Sequence, residues 1–101
     1  MFFGERIKQL REEKGLLQRQ MAASLNMDTP MFSKIERGER KAKRQQVFIL
    51  AKLLSEPVED LLVLWLAGQV YELVKNEGVA IKAVQAAEEE LKTKIKIPKR
   101  K

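Results

Sequence analysis

The chain has 101 residues, enough for one small domain with a helical appendage but not for an enzyme with a deep cleft. It contains neither cysteine nor histidine, which excludes disulfide staples, thiolate metal sites, imidazole bases and the usual catalytic triads. Its net charge of +6 is segregated: residues 1–44 carry eleven Lys/Arg against six Asp/Glu, residues 45–91 three against eight, and residues 92–101 six against none, a layout that directs a polyanion to particular parts of the surface.

Met1–Gly4 runs straight into charged residues, the pattern expected without a secretory leader. The longest apolar stretch, Leu61–Gly68, is too short to cross a bilayer, so a cytoplasmic protein is expected. Phe3, Ile7, Leu10 and Arg11 recur at helical spacing and predict a first helix from about residue 4 to Lys14, stopped at Gly15. Leu16 and Leu17 follow as an apolar pair expected to be buried. Two short helices are predicted next, about Gln18–Leu25 with Met21, Ala22 and Leu25 apolar, and about Thr29–Arg37 with Phe32 and Ile35 apolar. The periodicity holds within each half and breaks across Asn26-Met27-Asp28, which argues against one continuous helix. Asp28 or Thr29 can accept from the orphan N–H groups of the second half, Pro30 is harmless in a first turn, and Gly38 supplies a left-handed stop. Two helices joined by a turn of three to four residues, with a basic run behind them, form a helix-turn-helix pattern.

Glu39–Arg44 has no apolar face and reads as an exposed loop. Val47, Leu50, Ala51 and Leu54 define a fourth helix, about Gln45–Leu54. Pro57 suits the first position of a fifth helix, and Glu59 and Asp60 suit its positive end. From Val58 to Val74 apolar residues cover more than one face, so burial on most sides is expected. Asn76-Glu77-Gly78 breaks the pattern. A last helix from Val79 to about Lys92 should turn Ala80, Ala83, Val84, Ala87 and Leu91 inward and Glu88–Glu90 outward. The basic tail Thr93–Lys101 is expected to be disordered.

A set of residues stands out at matching intervals: Ile7, Leu10 and Arg11; Gly15 and Leu16; Gln18, Met21, Ala22 and Leu25; Ser33, Ile35, Glu36 and Gly38; then Leu50, Ala51, Leu54, Val58, Leu61 and Leu62. On these residues, and above all on the run Ser33–Gly38 (SKIERG), the segment from about Ile7 to Leu62 resembles the helix-turn-helix domain of phage repressors and Cro-type regulators, the Xre family. The resemblance implies an all-α, five-helix domain over residues 1–62. The resemblance lapses after Leu62; beyond it the apolar pattern predicts a C-terminal helical extension over 63–92, made of the extended fifth helix and the additional last helix, with 93–101 as a basic tail.

It further implies a bacterial or phage-type transcriptional regulator that lays its third helix in the major groove of double-stranded DNA. Thr29, Pro30, Ser33 and Lys34 would face the bases, with Lys34 best placed for guanine O6/N7 or, failing that, a phosphate. Gln18 would hold a phosphate beside its helix N-terminus. Arg19, Arg37, Arg40, Lys41, Lys43 and Arg44 would grip the backbone and set affinity rather than sequence. Arg11 and Glu36 would form a partly buried structural ion pair, and Met31, Phe32 and Ile35 would be core. Two departures matter: Leu17 stands where relatives usually carry a Ser or Thr cap, a loss of about 1 kcal/mol, and Pro30 offers no donor to a base.

Reading an inverted repeat needs a two-fold protein, and Trp65, Leu66, Gln69, Val70 and Leu73 are the candidate homodimer interface. An antitoxin-type or accessory DNA-binding protein, holding a separate protein partner on its C-terminal helices, is the alternative. An enzyme is not expected, because Glu88–Glu90 lie on a solvated face. No cofactor, metal set or effector motif is seen.

Overall fold

A computed structural model describes residues 2–94, which form six helices and no strand: α1 (Phe3–Glu13), α2 (Gln18–Ser24), α3 (Thr29–Glu36), α4 (Arg44–Leu53), α5 (Val58–Val74) and α6 (Ala80–Lys94). The expected tail falls on residues 95–101, outside the described residues, except for Thr93 and Lys94. These two close α6 instead, with the Thr93 hydroxyl donating to the Glu89 carbonyl at 3.1 Å. The chain divides into two compact units, up to Val70 and from Tyr71 onward.

Helices α1 to α4 stop by one device. Each is followed by a left-handed residue: Gly15 (φ 68°), Asn26 (φ 55°), Gly38 (φ 78°) and Ser55 (φ 53°). Two backbone N–H groups then fold back onto the last turn. After α1 these bonds are Gly15 to Glu12 and Leu16 to Arg11, both 3.0 Å; after α3 they are Gly38 to Ile35 at 3.1 Å and Glu39 to Lys34 at 2.8 Å. The same pair recurs after α2 (Asn26 to Ala23, Met27 to Ala22) and α4 (Ser55 to Lys52, Glu56 to Ala51). Carbonyls that a helix end would otherwise leave unpaired are satisfied within a few residues. The four stops are therefore local in origin and do not wait on distant packing.

Starts are handled differently. Asp28 caps α3 by accepting from the Met31 N–H at 2.8 Å. Phe2, Leu17 and Lys43 carry no side-chain acceptor. At these three ends the residue three positions on reaches back to the cap's own N–H: Glu5 at 3.3 Å, Gln20 at 2.7 Å and Gln46 at 2.8 Å. Half of a capping box is thus present, and Gln20 partly offsets the missing hydroxyl at position 17.

Within the first unit the core gathers Ile7, Met21, Phe32, Ile35, Val47, Leu50, Leu54 and Leu61, all fully buried. Each such side chain contributes roughly 1.5–3 kcal/mol by leaving water. Gly4 lets α1 settle on the C-terminal end of α3: a Cβ there would meet the carbonyl oxygens of Ile35 and Glu36, the latter at 2.6 Å. The Arg6 guanidinium bonds Glu56 at 3.1 Å, tying α1 to the α4–α5 connection.

Several expectations need correcting. Leu16 packs against the core, but Leu17 is exposed, because extended backbone sends successive side chains to opposite sides. Met31 is half-buried and lies outside the core cluster. The loop Glu39–Arg44 is not wholly exposed, since Ala42 is only 1% exposed. Pro57 precedes α5 instead of opening it. Of α5 only Leu61 is buried; Val58, Leu62, Leu64 and Trp65 pack half-buried against the core, while Val63, Leu66 and Val70 stay exposed. One side of the domain can cover one face of a helix, not most of it. In the second unit no residue of α6 is buried, and Ala83, Val84, Ala87 and Leu91, expected inward, are exposed. Besides α6, that unit has only the last turn of α5 to offer.

Candidate nucleic-acid interface

Leu25 to Asp28 joins α2 to α3, closed on one side by the backbone bonds of Asn26 and Met27 and on the other by the Asp28 cap. The turn is thereby specified by its own residues. Helix α3 then divides cleanly into two faces. Phe32, Ile35 and Glu36 are buried, whereas Pro30 and Lys34 are exposed and Thr29 and Ser33 half-exposed. Phe32, fully buried, has no part in an outward surface.

Behind α3 lies the most enclosed polar group of the domain. Arg11 Nε donates to Glu36 Oε2 at 2.6 Å and Nη2 to Oε1 at 3.1 Å, while Nη1 donates to the Leu16 carbonyl at 2.9 Å. The carboxylate holds the Arg11 guanidinium above its ordinary pKa, chiefly through this hydrogen bond and against the opposing effect of burial. Gln18 joins the same cluster, its Nε2 donating to Glu36 Oε1 at 2.9 Å. The amide expected at a phosphate is thus oriented by Glu36, with its carbonyl oxygen pointing elsewhere. The pairing links α1, the start of α2 and the end of α3.

On the outer side, Arg37 follows α3 and is engaged three ways. Its guanidinium donates to the Ser33 hydroxyl and to both carboxylate oxygens of Glu39, at 2.9 and 3.2 Å. That contact raises the Arg37 pKa and lowers that of Glu39 below the usual carboxylate range. Two expected contact residues, Ser33 and Arg37, are therefore occupied by each other, and by an acidic side chain that the residue pattern had not singled out. An acid two positions after an arginine was the available signal. Among the described residues, Arg19, Arg40, Lys41 and Lys43 enter no ion pair and are exposed. Arg44, the first residue of α4, places its guanidinium carbon 5.8 Å from the centroid of the Trp65 ring. Trp65 Nε1 donates to the Ala42 carbonyl at 2.8 Å.

Residues 3–64, more than half of the chain, match the family described as a helix-turn-helix domain. The chain belongs to that family. No curated protein matches it. The helix-turn-helix domain spans α1 to α4 and the first turns of α5. Of the five candidate interface residues on α5, Leu66, Val70 and Leu73 are exposed, whereas Gln69 is half-buried and Trp65 is turned into its own helix-turn-helix domain. Among the described residues no helix is long and apolar enough to cross a membrane, and no cluster of His, Cys, Asp or Glu could hold a metal ion.

Proposed function

We propose that this helix-turn-helix protein is a sequence-specific, double-stranded DNA-binding transcriptional regulator of the Xre/Cro type. It acts in the cytoplasm as a homodimer that reads an inverted repeat through α3. The observation that carries the reading is the division of α3: a buried face fixed by Phe32, Ile35 and Glu36, and an outward face of Thr29, Pro30, Ser33 and Lys34 followed by a run of exposed cations. Such a rod, rigid behind and polar in front, suits base-edge contact with phosphate contacts beside it. Residues 1–62 serve as the reader and 63–92 as the pairing element.

Pairing is supported by α5. Val63, Leu66, Val70 and Leu73 are all exposed, Leu73 by 80%, and their 3-4-3 spacing is that of a helix seam. A second copy would cover the stripe by two-fold symmetry. The uncovered apolar residues of α6, Ile81, Val84 and Leu91, favour a second reading in which the C-terminal helices hold a different protein. Co-purification of a stoichiometric foreign polypeptide would decide for it.

Selection of bound duplexes from a random pool tests the main reading. The expected outcome is an inverted repeat with half-sites about one helical turn apart, and relaxed preference at one base pair, by about 1–3 kcal/mol, in Lys34→Ala. A pool that yields no motif, or Lys34→Ala and Thr29→Ala variants with unaltered preference, refutes it.

A further inference from the structure

Trp65 is the single tryptophan of the chain, and it sits on α5, well separated in sequence from the basic loop it touches. The loop has few supports of its own. The Glu39 N–H returns to Lys34, and backbone pairing resumes only where Gln46 and Val47 bond the Lys43 carbonyl in the first turn of α4. Between these points, among the described residues, the backbone is held at two neighbouring positions: the Lys43 N–H bonds the Gln46 side chain at 2.8 Å, and at Ala42 the methyl is buried in the core while the carbonyl accepts from the Trp65 indole at 2.8 Å. The face of the same indole carries Arg44. Arg40, Lys41 and Lys43 thus flank a backbone position held by one donor from another helix.

From this geometry we infer that Trp65 is a positioning residue for the phosphate grip. Its N–H fixes the path of Glu39–Lys43, its ring face sets the direction of Arg44, and through it α5 determines how four cations meet a sugar–phosphate backbone. An indole is the one side chain that combines a wide apolar face, a cation platform and a single outward donor. The inference rests on the DNA-binding reading and adds a residue that touches no DNA.

The test uses the full chain and a 20-base-pair duplex of mixed sequence, since phosphate contacts are independent of sequence. Binding is followed by anisotropy of labelled duplex across a salt series. Trp65→Phe keeps a ring against the core and deletes the donor. The expected result is binding about tenfold weaker, with the log–log salt slope shallower by about 2, the equivalent of two lost phosphate contacts. Leu64→Ala, which loosens core packing on the same helix and leaves the indole donor in place, should leave the slope unchanged. A Trp65→Phe slope equal to that of the unsubstituted chain overturns the inference. A second measurement needs no variant: the lone indole N–H resonance of the ¹⁵N-labelled chain should stay protected from exchange at saturating duplex. An indole proton that exchanges freely in the complex overturns the inference as well. Failure of the unsubstituted chain to bind any duplex removes the DNA-binding reading itself, whereas binding with an unchanged slope removes only the role of Trp65.

Discussion

Replacing Glu36 by alanine should be among the most damaging single changes in this domain, and the structure allows its size to be worked out. The side chains of Arg11 and Glu36 are 10% and 2% exposed. The carboxylate accepts two bonds from Arg11 and one from Gln18. Its removal leaves a guanidinium in the interior with the Leu16 carbonyl to bond and only the exposed Glu12 carboxylate near it, at 3.9 Å, which costs about 3–5 kcal/mol. The Gln18 amide loses its acceptor too, adding about 1 kcal/mol. Against a total stability of about 5–15 kcal/mol, such a variant folds barely or not at all. Arg11→Met should lose a similar amount. Arg11→Met/Glu36→Leu removes both charges at once and leaves only the Leu16 carbonyl and the Gln18 amide to be satisfied, a loss of about 1–3 kcal/mol. Urea unfolding followed by far-UV circular dichroism measures all three. With a slope of roughly 1–2 kcal/mol per molar urea, the single changes lower the midpoint by roughly 2–6 M and the double by roughly 0.5–3 M. A double variant that loses the sum of its singles would refute the reasoning, because the two groups would then not act as a unit. The Arg11 pKa is raised in the folded chain, so on the alkaline side its share of stability is lost only as pH rises through that raised value.

Gly4→Ala should lower the melting temperature although alanine is the better helix former, since the new methyl must push apart two helices whose backbones meet there; a loss of about 3 kcal/mol is expected, and a rise in melting temperature would contradict the packing described. Ser55→Gly should act oppositely, gaining about 1 kcal/mol by relieving a serine at φ 53°, read as a melting temperature higher by roughly 4–8 °C. Glu39→Gln releases Arg37 and should tighten binding to mixed-sequence duplex severalfold in anisotropy titrations at low salt; unchanged or weaker binding would show that Glu39 does not compete with phosphate. The Glu39 carboxyl should titrate below its usual range by NMR: the pair with Arg37 is present above the ordinary carboxylate pKa and dissolves as pH falls through the lowered one. Arg37→Gln should move that titration up toward the ordinary value, leaving the smaller influence of Lys34.

Helices α1 to α4 were legible because their apolar residues recur at helical spacing and because Gly15 and Gly38 announce two of the stops; observed boundaries differ from the expected ones by at most one residue. The α2–α3 break was legible at Asn26–Asp28 for the same local reason, with Asp28 as the cap. Ala42 was not, since a lone alanine between lysines has no periodicity, and the residue that bonds its carbonyl, Trp65, lies 23 positions further along the chain. Glu39 was hidden by the charges around it. The apolar run of α5 predicts a heavily buried helix because a count of apolar residues gives demand for cover, not the area available to supply it. The same excess points Trp65 toward an interface between copies, whereas its donor and ring face are engaged within its own domain.

The turn between α2 and α3 has a further consequence for how such a protein can change. Its stops and its cap are made by neighbours in sequence, and the inner face of α3 is anchored independently of the outer one. Substitutions at Thr29, Pro30 or Lys34 therefore touch neither the hinge nor the hydrophobic interior. On the proposed function, new target preferences can accumulate there with little penalty in foldedness, leaving the scaffold a constant frame on which one outward edge is rewritten.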